Sequence, residues 1–525
     1  MSEELEPIIL TFGGGINAQR RPLDIEPEEC VEGENFDLDP QVSIFRRRKP
    51  FDLAGTAPNA GEIRGYAQYI ARDGTHTTLI QSGANVYQWD GAAAFTLRGT
   101  VSAQARLRGR RESNDTLNQY VIITDLEKIE PVKKWDGTTF QNLAHNLSST
   151  LYAKYCVIHK ERAFFGNVRS GTDTPHVILA SKLGDPQNLT VTNRPSSALG
   201  LDESFFLHTL DLRPINGLEQ AFGEFFMSSE RGHLQNLKGS SAFDYEFESF
   251  YEGSEAVGTE ALVNIGNDVL IGAQGRIESL SGVISFGDVE TNDVSLWIGN
   301  KIQNVSEWTI AYDRRLQKAF CFPNNQPAVW VLHKSLINAQ GNETRISPWS
   351  KWTTDHNFGF QPSCVIPILN PITGLDSVYL GTTNGQIFLL DGTGDQDAGA
   401  NDVTVFRKSG ALRVPFAEKF DLQGYILYER VFAATVTLTF TWGGTVLVDQ
   451  DITIHLPESA DFGVYNGEYY YNDITYYGTT FSGRLSLQDF RAAGLGSVLQ
   501  VTATIAGAAD FEIHEVGIKL RAALR

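Results

Sequence analysis

The chain has 525 residues, of which 42% are hydrophobic and 20% are charged. Its length predicts two to four domains at about 100–200 residues each. The 43 basic and 63 acidic residues give a formal net charge of −20, which argues against phosphate-seeking nucleic-acid binding, since that function concentrates Lys and Arg on one face. Runs rich in Val, Ile, Phe, Tyr and Thr dominate the sequence, which favours an all-β fold.

The start of the chain and its cysteines indicate the compartment. The opening MSEELEPIIL lacks the basic region and apolar core of a signal peptide, and no apolar run approaches the ~18–20 residues of a membrane span. Cys30, Cys156, Cys321 and Cys364 are far apart and form no CxxC pair. They are therefore predicted to be buried thiols, not a disulfide framework or a zinc site, and we expect a soluble protein made in a reducing cytoplasm.

Residues 1–60 are predicted to form an extended N-terminal arm. Their glycines, prolines and acidic stretch show no sustained hydrophobic period, so the segment is not expected to fold alone. The phrase FRRRKPF places Arg46, Arg47, Arg48 and Lys49 together. One interpretation is a solvated loop; the other is a protein interface that docks onto an acidic neighbour, where Arg forks pair with carboxylates.

Residues 61–400 carry a repeat. The tripeptide WDG at 89–91 recurs at 135–137, an interval of 46 residues. Gly at such turns supplies the positive φ that tight hairpins need. Related hairpin-like stretches lie at 77–91, 119–137, 224–239, 267–282 and 376–392, with looser versions at 176–189 and 318–333.

This period predicts a β-propeller. Each hairpin has an apolar face that it cannot bury alone, and a period of ~40–50 residues leaves room for four short strands per unit. About seven blades fit best, with six or eight possible. The basic phrase RLRGRR (106–111) is interpreted as a solvated loop, with docking to a neighbour as the alternative.

An Asp/Gly-rich stretch at 391–402 marks the expected end of the propeller. Asp391, Asp395 and Asp397 alternate there, and oxygen ligands at such spacing are weak candidates for a calcium site. The stretch departs from the EF-hand loop because Thr393 takes a ligand position and no Glu closes the loop. A solvated acidic linker is the preferred interpretation, and no metal or cofactor is predicted.

Residues 401–525 are predicted to form an antiparallel β-sandwich-like domain. Residues 486–494 (SLQDFRAAG) are interpreted as a short helix, and 464–478 as a long loop or hairpin. That last segment is rich in tyrosine, which offers apolar area with a polar handle, so it is a candidate protein interface or, alternatively, a carbohydrate-binding surface. The tyrosines concerned are Tyr465, Tyr469, Tyr470, Tyr471, Tyr476 and Tyr477.

No motif in the sequence indicates catalysis. The ten histidines form no HExxH or HxH pattern, and no spacing singles out a carboxylate pair of the kind that glycoside hydrolases use. The chain is therefore predicted not to be an enzyme.

The arm carries a resemblance to a known family. FGGGIN, followed by DIEPEECVEGENFDLDP and FRRRKPF, resembles the opening of bacteriophage tail and tail-nozzle (tail tubular, or tail hub) proteins. The stretches RAFFGNV, HVILASKLGDPQNL, AYDRRLQKAFCFPNNQPAVWVLHKS and SPWSKWT look like blades of the same group. The resemblance covers most of residues 1–400 at the level of pattern, and the C-terminal domain carries no motif of the family.

The resemblance implies a structural virion protein of a short-tailed phage, made in the host bacterial cytoplasm. In that family a propeller protein forms a homohexameric nozzle ring below the portal and adaptor, next to tail fibre or tail-tip proteins, and genomic DNA passes through without sequence-specific binding. An acidic wall suits a DNA-ejection channel, because it does not hold phosphate by counterion release. The alternative is a monomeric propeller that binds glycan or a receptor at a surface.

Overall fold

The structure is a computed structural model, and the regular secondary structure of its described part is almost entirely β-strand. The strands are numbered β1–β42 along the chain, and the two short α-helices are α1 (Gly299–Ile302) and α2 (Lys334–Ala339). None of the helices in this part is long and apolar enough to cross a membrane. The described residues are 8–10, 14–38, 45–115, 119–189, 200–230, 233–252, 256–266, 268–280, 292–339, 346–353, 362–393, 396–397, 403–413, 419–430, 434–443, 448–456, 469–471, 474–476, 485–495, 498–506 and 511–522.

The N-terminal segment forms strands and joins sheets built by distant parts of the chain. Its last strand, Asp52–Thr56, is hydrogen-bonded to the strand Gln386–Leu389, and its earlier strands lie in sheets with strands from the C-terminal residues. Its five strands are β1 (Ile8–Leu10), β2 (Cys30–Glu34), β3 (Phe36–Leu38), β4 (Phe45–Arg47) and β5 (Asp52–Thr56).

Seven groups of four strands follow one another along the chain. In each of the first six groups the four strands are consecutive in sequence, whereas the seventh takes β5 as its last strand. The groups are β6 (Ile63–Ile70), β7 (His76–Ser82), β8 (Asn85–Trp89) and β9 (Phe95–Thr100); β10 (Leu107–Gly109), β11 (Val121–Asp125), β12 (Lys133–Trp135) and β13 (Phe140–Asn142); β14 (Leu151–His159), β15 (Arg162–Ser170), β16 (Thr172–Ala180) and β17 (Phe205–His208); β18 (Ile215–Ala221), β19 (Glu224–Ser229), β20 (His233–Lys238) and β21 (Glu246–Glu252); β22 (Leu262–Asn264), β23 (Val269–Ala273), β24 (Arg276–Ser279) and β25 (Asn292–Asp293); β26 (Trp308–Asp313), β27 (Lys318–Pro323), β28 (Val329–His333) and β29 (Trp349–Trp352); and β30 (Cys364–Leu369), β31 (Asp376–Gly381), β32 (Gln386–Leu389) and β5.

These groups are the blades of a seven-bladed β-propeller. The first strands of successive blades contact each other from β14 through β18, β22, β26 and β30 back to β6. Blades one and two are joined into one eight-stranded sheet, because β6 and β10 pair in parallel. The ring closes where β5 pairs with β32, so the seventh blade combines both ends of the propeller segment.

The repeated WDG tripeptide ends the third strand of blades one and two. Trp89 and Trp135 are buried at equivalent places, with 1% and 0% of their surface exposed. Gly91 and Gly137 adopt φ of 91° and 92°, a region that glycine enters at no steric cost. The aspartate side chain before each glycine accepts backbone N–H bonds from the turn that follows, which explains the choice of Asp.

The predicted hairpins match the second and third strands of six blades. The exception is 176–189, which covers the end of β16 and the turns that follow it. In that blade the second and third strands are β15 and β16, which turn at Gly171 (φ 76°). The stretch 176–189 begins inside the third strand, β16, so the predicted hairpin was placed one strand too far along the chain.

The hydrophobic core of the propeller lies between neighbouring blades. Four clusters of buried residues join blade seven to one, one to two, two to three and three to four. Between blades seven and one, the rings of Trp89 and Tyr379 meet edge to face with centroids 5.2 Å apart. Apolar faces that a single hairpin cannot bury are thus covered by the next blade, as the repeat predicts.

Two further six-stranded antiparallel sheets are built by the C-terminal residues and the N-terminal strands. One runs β3-β4-β42-β35-β40 with β1 beside β42, and the other β2-β33-β41-β36-β37 with β34 beside β41. A separate hairpin, β38–β39, falls in the tyrosine-rich segment, where a loop or hairpin was expected. These strands are β33 (Val405–Ser409), β34 (Leu412–Arg413), β35 (Lys419–Arg430), β36 (Ala434–Gly443), β37 (Val448–Leu456), β38 (Tyr469–Tyr471), β39 (Ile474–Tyr476), β40 (Leu485–Leu495), β41 (Val498–Ala506) and β42 (Phe511–Ala522).

The short helix predicted at 486–494 is wrong. These residues lie in β40, which pairs with β35 at eleven consecutive positions from Leu485 to Leu495. Helix propensities differ by only about 0.7 kcal/mol per ordinary residue, and an unbroken ladder of backbone hydrogen bonds outweighs them.

The chain divides differently from the boundaries 1–60, 61–400 and 401–525. One compact unit comprises residues 1–50, 330–355 and 393–525, and the other comprises 51–329 and 356–392. Within the first unit the N-terminal arm is hydrogen-bonded along β29: the N–H groups of Gly15 and Ile16 donate to the carbonyls of Ser347 and Trp349 at 2.7 and 2.8 Å. The arm is therefore an integral part of this unit.

Candidate functional site

The centre of the propeller is occupied by arginines from the phrase RLRGRR, for which the sequence predicts a solvated loop. That interpretation is wrong, because residues 107–109 form β10, the first strand of blade two. Side chains two apart in a strand share a face, so Arg106, Arg108 and Arg110 lie together. Gly109 allows the close approach to β6, since a Cβ there would lie 2.5 Å from the Ala67 Cβ. The alternating Arg-x-Arg-x-Arg pattern was the signal for a strand.

Arg108 forms a buried bidentate ion pair with Glu260. Its Nε and Nη2 donate to the two carboxylate oxygens at 2.8 and 2.9 Å, and the side chains are 4% and 5% exposed. Burial alone would raise the pKa of Glu260, but attraction and hydrogen bonds from Arg108 outweigh it and lower the pKa to about 2. The pair therefore stays charged at neutral pH.

Arg110 and Glu219 form a looser pair beside it. Arg110 Nη1 donates to Glu219 Oε2 at 3.3 Å, and Arg110 Nη2 lies 3.7 Å from Glu260 Oε1. Burial raises the pKa of Glu219 to about 8, against the opposing effect of Arg110. Two neighbouring carboxyls thus have pKa values displaced in opposite directions, a feature that marks functional-site candidates and also occurs in structural ion-pair networks.

Two cavities lie at the centre of the propeller, and Glu260 lines both of them. The one at the carboxyl ends of the innermost strands, which we call the axial pocket, has a volume of about 90 Å³ and includes Tyr66, Arg110, Glu219 and Glu260 in its lining. The one at the amino ends has about 240 Å³. Since Glu260 lines both, we call the Arg108–Glu260 pair the axial plug. Both volumes are below the roughly 300–1,000 Å³ of drug-sized ligand sites.

No known protein family matches the chain. No curated protein matches it either. Among solved structures, it is similar to the computationally designed Ika8 protein at 11% identity and a TM-score of 0.32, covering 64% of this chain and 99% of the other. It is also similar to BBS1N crystallised in complex with ARL6DN, at 8% identity and a TM-score of 0.38, covering 65% and 96%. Likenesses this weak carry no argument about function.

The basic cluster of the arm divides into buried and exposed members. Arg48 is 0% exposed and donates from both Nη atoms to Asp397 at 2.9 and 2.6 Å, while its Nε donates to Asn35. Arg47 is also buried, at 3%. Arg46, half-buried near Asp37, and the exposed Lys49 remain the interface candidates.

The three aspartates of the Asp/Gly stretch have separate environments. Asp391 accepts a hydrogen bond from Arg315 Nη2 at 2.6 Å, and Asp397 is the partner of Arg48. Asp395 lies outside the described residues. Each described carboxylate is thus paired with an arginine, an arrangement that competes with calcium ligation.

The tyrosine candidates remain predictions. Tyr469, Tyr470, Tyr471 and Tyr476 lie in the β38–β39 hairpin. Tyr465 and Tyr477 lie outside the described residues.

A buried Ser–His–Asp arrangement was not foreseen from the sequence. His333 Nε2 lies 2.9 Å from Ser350 Oγ, and its Nδ1 lies 3.6 Å from Asp37 Oδ1. Hydrolases use the same three residue types, but here Ser350 is 0% exposed and lines neither of the two central cavities. The contacts tie β3 to β28 and β29, and we assign them a structural role.

Proposed function

We propose that this protein is a structural component of a bacteriophage virion, a tail-nozzle protein that forms a homohexameric ring and continues the DNA-ejection channel below the portal and adaptor. The observation that carries the proposal is the N-terminal arm. Its phrases FGGGIN, DIEPEECVEGENFDLDP and FRRRKPF resemble the opening of that family, and this arm is hydrogen-bonded along β29 and paired with C-terminal strands. The resemblance thus falls on an element that holds its unit together.

The centre of the propeller leaves no room for duplex DNA, because the buried Arg108–Glu260 pair lies there. The two cavities at the propeller centre have volumes of only about 90 and 240 Å³, and Glu260 lines both, so in this proposal the bore lies between copies of the chain. A net charge of −20 per copy suits a wall that repels phosphate. Screening limits the repulsion to about 8 Å at physiological salt, so the acidic side chains must line the bore closely; a bore lined by basic residues would overturn this explanation.

Native mass tests the proposal directly. Six copies of the 58.0 kDa chain weigh about 348 kDa, which mass photometry separates from a monomer, and negative-stain images would show a ring wide enough for duplex DNA. A monomer at every concentration, alone and with portal and adaptor added, would contradict the conduit. The alternative, a monomeric propeller that binds a glycan or a receptor, would then be the preferred function. A screen of the protein on a glycan array would test it.

A further inference from the structure

We propose that the axial pocket binds a small carboxylate, held by the Arg110 guanidinium and the Tyr66 hydroxyl. The site lies at the carboxyl ends of the innermost propeller strands, among residues from β6, β10, β18 and β22. The inference is independent of the ring proposed above, because every residue in it belongs to one propeller.

The first argument is an unsatisfied donor. Tyr66 lines the axial pocket and is 1% exposed, and within the described part of the chain its hydroxyl has no hydrogen-bond partner. A buried polar group left unpaired costs about 1–3 kcal/mol, so such groups call for an explanation. Burial raises the pKa of Tyr66 far above its usual value, and the hydroxyl therefore remains a donor.

The second argument is the geometry of Arg110. Among the described residues its guanidinium makes one hydrogen bond, to Glu219 at 3.3 Å, and its distance of 3.7 Å to Glu260 exceeds hydrogen-bond range. Both Glu260 oxygens already accept from Arg108. Arg110 thus retains N–H donors in a planar fork that matches a carboxylate.

The third argument is charge. Arg108 and Glu260 neutralise each other in the axial plug. At the mouth of the pocket, Arg111 lies 3.8 Å from Asp376 and Arg314 lies 3.8 Å from Glu112, which are two further matched pairs.

The remaining charged groups are Arg110 and Glu219. Burial raises the pKa of Glu219, so this carboxyl takes up a proton more readily than an exposed one and neutralises Arg110 less completely. A ligand carboxylate would pair with the Arg110 donors that Glu219 leaves unused.

The size of the pocket restricts the ligand. Its volume of about 90 Å³ is well below the roughly 300–1,000 Å³ of drug-sized ligand sites. A small ligand, such as a carboxylate with a short carbon stem, suits this volume. The mouth residues Arg111 and Arg314 have side chains 52% and 43% exposed, so the pocket can be reached either by a free carboxylate or by an acidic side chain of a docking protein.

Saturation-transfer NMR with the full chain tests the site. Sodium acetate stands for a free carboxylate and N-acetyl-glutamic acid amide for a protein side chain, each titrated at constant ionic strength with sodium chloride. We expect saturable binding at pH 6.5. Tyr66→Phe should weaken it about tenfold and Arg110→Gln by at least as much, since each loses one charge-assisted hydrogen bond. Tighter binding of the glutamate probe would assign the site to a docking protein, and tighter acetate binding to a free metabolite.

The matched control is Arg98→Gln, which removes an exposed arginine outside the lining of the axial pocket and should change affinity less than twofold. Binding should also weaken as the pH rises through about 8, and Glu219→Gln should remove that pH dependence. No saturable binding, equal binding in Tyr66→Phe and wild type, or an experimental map with only ordered water in the pocket would each overturn the proposal.

Discussion

Replacing Glu260 by Gln should destabilise the propeller by about 3–5 kcal/mol, because it leaves the Arg108 guanidinium buried without its anion. The pKa of Glu260 gives a second route to the magnitude. A fall from 4.5 to about 2 is roughly 2.5 units, or about 3 kcal/mol at ~1.4 kcal/mol per unit. A carboxyl with a lowered pKa contributes stability that is complete above its unfolded pKa. That contribution should be lost as the pH falls from about 5 through about 2.

The assay is urea unfolding of the full chain, combined with amide hydrogen exchange of peptides from β10 and β22, which reports the propeller separately from the other unit. Glu62→Gln is the control, since its pair with Arg64 at 2.8 Å is part-exposed and contributes at most about 1 kcal/mol. The double variant Arg108→Met/Glu260→Met should recover most of the lost stability. The reasoning would be refuted if Glu260→Gln unfolded with the same free energy as wild type. It would also be refuted if the double variant lost more stability than the sum of the losses in the two single variants.

Three further changes probe the propeller closure, the pH response and the Asp/Gly stretch. Gly55→Val should destabilise by about 1–3 kcal/mol, because the new Cβ would lie 2.5 Å from a backbone carbonyl oxygen of blade one; thermal unfolding measures it. Glu219→Gln should become more stable than wild type by up to a few kcal/mol as the pH rises from about 5 to 8, because the raised pKa of about 8 makes ionisation costly in the folded state; urea unfolding at pH 5 and 8.5 tests this. Asp397→Asn should cost several kcal/mol, whereas Asp391→Asn should cost less than about 1 kcal/mol, as measured by urea unfolding.

Each of these has its own control or contrary result. Gly200→Ala places a Cβ at an ordinary 3.5 Å from the nearest atom, so its melting temperature should equal that of wild type. A stability difference between Glu219→Gln and wild type that stays constant with pH would contradict the raised pKa. Equal effects of the two aspartate variants would show that burial of the Arg48–Asp397 pair does not set its contribution.

The sequence predicted those features that depend on neighbouring residues. The WDG turns at 89–91 and 135–137 and the hairpins of six blades follow from turn chemistry and two-residue alternation, both readable within a few residues. The four cysteines, predicted as thiols, are buried and unpaired. The same local reasoning misassigned 486–494, because its propensities were overruled by pairing with β35, more than fifty residues away.

The sequence by itself thus determined the all-β class and a repeat of about seven blades. Only the tertiary structure decided how the ring closes, since β5 pairs with a strand more than three hundred residues later, and no local pattern encodes a partner at that distance. The same holds for charge. Arg48 and Arg108 are indistinguishable from solvated arginines in the sequence, and they are buried because Asp397 and Glu260 approach from distant segments. A buried charge is tolerated only where the fold supplies its partner.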